Sequence, residues 1–118
     1  MHKYNLNPVP TLALNFHDLI AVRGIIRAYI TYTRRASKPT PARQDQLKVL
    51  EGLYTRLASV PASVTDIAFL LSIAEVAALN AAISGFCAFV RSKVPQSRER
   101  DETLQEVERM REALARML

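Results

Sequence analysis

The chain matches itself at an offset of 57 residues, with no insertion or deletion. Leu14-Asn15-Phe16-His17-Asp18-Leu19 falls on Leu71-Ser72-Ile73-Ala74-Glu75-Val76. Ile26, Tyr29, Tyr32 and Arg34 fall on Ile83, Phe86, Phe89 and Arg91; Arg43, Leu47, Leu50, Glu51, Leu53 and Leu57 fall on Arg100, Leu104, Val107, Glu108, Met110 and Leu114. Such a repeat constrains the fold more than composition does, because each copy must form the same supersecondary unit. Two unrelated amphipathic hairpins of equal length would also share an apolar period. They would not share Arg34 with Arg91, Arg43 with Arg100, and matched capping residues at both helix starts. The expected organisation is one domain built from a duplicated unit, repeat 1 over about 12–58 and repeat 2 over about 69–115. A loose arm with two prolines, residues 1–10, precedes them.

Within each unit the pattern changes from period two to period 3.6. Leu12, Leu14 and Phe16 alternate, as do Ile67, Phe69, Leu71 and Ile73. These short extended segments occupy equivalent places and are suited to pair as a two-stranded ribbon. Asn15 and Ser72 then stand as N-caps, with Asp18 and Glu75 three residues on completing capping boxes; Leu14 with Leu19 and Leu71 with Val76 stand in staple positions. The spacing predicts helices from Asn15 to about residue 35, over about 41–58, to about residue 93, and over about 98–117. Pro39, Pro41 and Pro95 end or restart helices, and Thr40 and Ser97 are the N-caps that follow. The fold class is therefore all-α: a four-helix domain of two tandem helical hairpins, with a short ribbon formed by the pre-helix segments.

Composition narrows the setting. At 49% hydrophobic and 23% charged residues the chain has the means to fold rather than stay disordered. The single cysteine, Cys87, has no internal disulfide partner and lies in the most apolar stretch, which suits a buried thiol in a reducing compartment. No charged n-region followed by an apolar h-region opens the sequence. The apolar run over 76–90 is shorter than the roughly 20 residues a bilayer span needs, and Asn80 and Ser84 interrupt it. A cytoplasmic protein with no membrane association is expected.

No catalytic constellation stands out. His2 and His17 with one cysteine cannot close a zinc site, and no glycine-rich phosphate loop occurs. The acids of the last helix alternate with arginines, as on a solvated face, and Tyr29, Tyr32, Tyr54, Phe86 and Phe89 follow helical spacing that reads as core. Neither enzymatic activity nor a metal or other cofactor is expected.

Two features remain. Small residues, Gly24 with Ala28 and Ala81 with Gly85, recur four apart at equivalent places on the first and third helices, where two backbones could cross closely. Positive charge gathers at the hairpin turns: Arg34, Arg35, Lys38 and Arg43 flank the first, and Arg91, Lys93, Arg98 and Arg100 the second. Cations at helix C-termini offset the macrodipole and need no ligand. That accounts for Arg34, Arg35, Arg91 and Lys93, but not for Arg43, Arg98 and Arg100 at helix N-termini.

The leading functional expectation is a non-enzymatic protein-interaction or assembly module. The third helix is so apolar that self-association or another protein is expected to cover it. Nucleic-acid binding is the second expectation: the duplicated order of extended segment, helix, helix resembles, in topology alone, a single-chain version of the ribbon-helix-helix repressors. That resemblance implies groove reading by polar or basic residues on the ribbon's outer face. Here the candidates are Thr11, Ala13 and Asn15 with Ala68, Leu70 and Ser72, and the first helix is longer than in that family. The third expectation is capture of a small anion, such as a nucleotide, by the cations of the turns; the net charge of +5 permits either anionic partner.

Overall fold

The computed structural model describes residues 10–36, 38, 40–61, 63 and 65–118. The arm read over 1–10 lies outside the described residues except for Pro10. The element order is β1 (Thr11–Asn15), α1 (Phe16–Ala36), α2 (Pro41–Ala58), β2 (Asp66–Leu70), α3 (Ile73–Lys93) and α4 (Arg98–Ala115). This is the four-helix domain with a ribbon that the repeat predicts.

The ribbon carries the repeat's symmetry. β1 and β2 pair antiparallel, with Thr11 opposite Leu70, Leu12 opposite Phe69 and Ala13 opposite Ala68. A two-fold that exchanges each residue with its repeat partner sends the pair Thr11–Leu70 onto Ala13–Ala68 and maps Leu12–Phe69 onto itself. The axis therefore passes between Leu12 and Phe69. The same operation relates Leu14–Ile67 to the bond from the Leu71 amide to the Pro10 carbonyl, at 2.9 Å. Leu12, Leu14 and Phe69 are buried beneath the ribbon, while Thr11, Ala13, Asn15, Asp66, Ala68 and Leu70 face out. Alternation of this kind is what a strand with one packed face requires.

Helix starts follow the duplicated signals. The Asp18 amide donates to Asn15 Oδ1 at 2.8 Å, and the Glu75 amide to Ser72 Oγ at 3.1 Å. Ser72 closes a full capping box, since its own amide donates to Glu75 Oε1 at 2.8 Å. At Asn15 only the first half of the expected box forms; Asn15 is also the last residue of β1, paired with Asp66. Thr40 and Ser97 cap α2 and α4 by accepting from the Arg43 and Arg100 amides at 3.2 and 3.1 Å.

The core runs along the axis. α1 packs on α2, α3 on α4, and α1 crosses α3. Ile26 and its repeat partner Ile83 are both fully buried, as are Val22 and Leu50. Each such side chain contributes about 1.5–3 kcal/mol by leaving water. α3 is the central helix, packed against α1, α2 and α4, and buries Val76, Leu79, Ala82, Ile83, Cys87 and Val90. That position accounts for its composition. Its 21 residues are long and apolar enough, by length and composition, to cross a bilayer, so the shorter 76–90 run does not settle the matter.

Two expectations change. Gly24 does not sit at a helix crossing: a Cβ placed there meets open space, whereas one at Gly85 would lie 2.9 Å from Tyr29 Cε1. The close approach falls nearer the C-terminal ends of α1 and α3, where a tyrosine ring covers Gly85. Tyr32 and Phe89 are not core, being 59% and 44% exposed.

Candidate interaction surface

Toward the C-terminal ends of α1 and α3 stand Tyr32 and Phe89. These are again repeat partners, and their rings meet edge to face at 5.8 Å between centroids and 62° between planes. Each stands four residues before the end of its helix, so both hairpin turns begin within about one helical turn of this contact. Ala28, Tyr29 and Tyr32 from α1 and Gly85, Phe86 and Phe89 from α3 line a groove of about 100 Å³ here. The lining consists of three pairs of repeat equivalents. Tyr29 is fixed from below: its hydroxyl donates to Gln46 Oε1 at 3.2 Å and accepts from Arg43 Nη1.

A second trough continues from this groove along α1, lined by Gly24, Arg27, Ala28, Thr31, Tyr32 and Arg35. On the other flank α3 exposes Ala74, Ala77, Ala88 and Ser92 and half-exposes Ala81 and Ser84. Between Glu75 and Arg91 that helix carries no charged residue. Only 39% of its most apolar window is buried.

Most of the eight cations of the turns are engaged internally. Arg34 pairs with Glu51, and its repeat partner Arg91 with Glu108 at 3.1 Å. Arg43 bonds the Tyr29 hydroxyl across the first hairpin. Arg98 pairs with Glu102 at 3.0 Å; Arg100 donates to the carbonyl of Val94, the C-cap of α3, at 3.1 Å and lies 3.7 Å from Asp101. These contacts explain the three cations at helix N-termini that the macrodipole could not. Arg35, Lys38 and Lys93 make no ion pair or hydrogen bond among the described residues. The open depression on α3 and α4 mixes Arg91, Arg98 and Arg109 with Asp101, Glu102, Glu108 and Glu112, so it offers no single sign to a ligand.

Burial, followed by the adjacent Glu108 carboxylate, pushes the Cys87 thiol up to about 11, so it stays protonated near neutrality and is a poor nucleophile. Arg111 holds the Glu108 carboxyl below the usual range, with Arg91 helping and burial opposing. Burial works against ionisation of Glu75, but the Ser72 backbone N–H and Arg56 outweigh it and lower its pKa. Both carboxylates are structural ion-pair partners. His17 is an exposed side chain 3.9 Å from Glu106. Among the described residues no group of three His, Cys, Asp or Glu is placed to hold a metal.

Sequence reasoning located the pairs that line the groove but placed Tyr32 and Phe89 inside. The available signal was their position beyond the last buried pair, Ile26 and Ile83, one turn before each hairpin. The ribbon's outer face carries no lysine or arginine, and Ser72, read as an outward candidate, is occupied as the cap of α3. Comparison with family models, with curated proteins and with solved structures yields no match.

Proposed function

We propose that this chain is a non-enzymatic protein-interaction module that docks its partner at the groove where α1 and α3 meet. The observation that carries the reading is the exposed Tyr32–Phe89 pair set in an apolar groove beside the uncharged flank of α3. Aromatic side chains in a contiguous exposed apolar patch mark interaction surfaces, because covering them releases water at little entropic cost to the rigid rings. Nucleic-acid and small-anion readings have less support. Four of their eight cations are paired with the protein's own carboxylates, and the ribbon that would enter a groove presents Ala13, Ala68, Leu70 and Asp66.

The test is co-purification from the native cell, comparing the parent chain with Tyr32→Asp/Phe89→Asp. Specific polypeptides should accompany the parent and be missing from the double variant, with helical circular dichroism unchanged. Recovery of nucleic acid or a metabolite instead, equally with both proteins, would rule the reading out.

A further inference from the structure

The chemistry of the groove specifies more than a generic partner. We propose that it receives an amphipathic helical segment of another protein, apolar on one face and flanked by carboxylates about two turns apart. This rests on the interaction-module reading and goes beyond it in naming what the surface recognises.

The two depressions share Ala28 and Tyr32, so they form one channel from Gly24 to Phe89. Gly24 and Ala28 add little bulk to its lining, which lets a helix approach closely, and Tyr32 and Phe89 are exposed as apolar contacts. Among the described residues, the charged groups lining it are Arg27 and Arg35. Neither makes an ion pair or hydrogen bond among the described residues, whereas Arg34, Arg91, Arg98 and Arg100 close by are all matched to carboxylates. Two of the unmatched cations thus fall inside the channel, while others, Lys38 and Lys93 among them, lie outside its lining. Arg27 and Arg35 are eight residues apart on one helix, roughly 12 Å along its axis. An arriving helix meets both with acids seven or eight residues apart. A second copy of this chain fits less well: stacking the face on itself brings like charges together, and no carboxylate lines the channel to offset them.

The experiment is display selection of a library of amphipathic helical peptides, randomised at the polar positions, against the full chain. Enriched peptides should carry Asp or Glu seven or eight positions apart and lose binding to Tyr32→Ala/Phe89→Ala. Their affinity should fall about tenfold or more for Arg27→Glu/Arg35→Glu, and exchanging the peptide acids for lysine should restore binding to that variant. All four side chains are at least partly exposed on the surface, and circular dichroism checks that each variant keeps its helices. Enriched peptides that need the aromatic pair but ignore the charge reversal would overturn this inference while leaving the interaction module intact. Binders indifferent to both pairs, or a library returning none, would overturn it as well. So would a concentration-dependent dimer abolished by Tyr32→Ala, or binding to anionic lipid vesicles abolished by the same change.

Discussion

In both hairpins an arginine near the end of the first helix reaches a glutamate on the second: Arg34 to Glu51, and Arg91 to Glu108. Between the hairpins that equality breaks down. Arg56 of α2 reaches into the second half, donating to Glu75 at 2.6 Å and to the Leu70 carbonyl at 2.7 Å, with its guanidinium 4.7 Å above the Phe69 ring. The reciprocal position is Ala113, which has nothing to offer Asp18. α2 accordingly packs on α3 more closely than α4 does on α1. The surfaces diverge too. α1 shows Arg23 and Arg27 where α3 has Asn80 and Ser84. The comparison teaches that the skeleton follows the repeat while the joints and faces do not, so the two halves share a core and differ in what they can bind.

The shared core gives the severest test of that equivalence. Ile26→Ala and Ile83→Ala should each destabilise the chain by about 2–5 kcal/mol in urea denaturation. Costs that differ by more than about 2 kcal/mol would mean that the axis does not run where the ribbon places it. The small-residue sites should separate instead. Gly85→Leu must displace a Tyr29 ring held at its hydroxyl and should cost about 1–3 kcal/mol by overpacking. Gly24→Ala faces open space and should raise the melting temperature, helix propensity favouring alanine by up to about 1 kcal/mol.

The unequal joint gives a smaller difference. Arg56→Ala removes two charge-assisted hydrogen bonds and a ring contact at a half-exposed site, a loss of about 1–2 kcal/mol by thermal melting. Ala113→Arg, its mirror change, should gain well under that, since the repeat partner of Phe69 is Leu12, which offers no ring to the guanidinium. The smallest effect is in acid. Glu75 and Glu108 have carboxyls held below the ordinary value of 4.5. A lowered folded-state pKa stabilises the fold above the unfolded value and ceases to do so as protonation proceeds. The melting temperature should therefore fall as pH drops below about 4.5, and Glu75→Gln should flatten part of that slope; an unchanged slope would count against an ionised, paired Glu75.

What the sequence disclosed was whatever the duplication made redundant. Caps at Asn15, Ser72, Thr40 and Ser97, the alternating segments and the stripes of α2 and α4 each appeared twice, and local rules sufficed to read them. The ribbon's register was not legible, because every antiparallel register of the two segments satisfies the 57-residue offset; alternation requires only that buried positions such as Leu12 and Phe69 fall opposite one another. The candidate surface was harder to read. Tyr32 continues the helical spacing of Tyr29, and only the crossing geometry of α1 and α3 decides that one ring covers Gly85 while the other stands in water. The turn cations were visible as a cluster, and Arg98 with Glu102 is an i,i+4 pair open to a local rule, but Glu51 and Glu108 lie on neighbouring helices whose rotation no periodicity fixes. Arg56 gave no signal at all, since its repeat partner is alanine.

The ribbon has one more consequence. β1 hydrogen-bonds to β2 and to no other strand, and β2 belongs to the other repeat. A ribosome releasing this chain exposes Leu12 and Leu14, on a strand with an open edge, well before residue 66 can emerge to cover them. Neither repeat completes the ribbon by itself; a single copy of the unit would have to borrow its second strand from another molecule, whereas here the pairing closes within one chain.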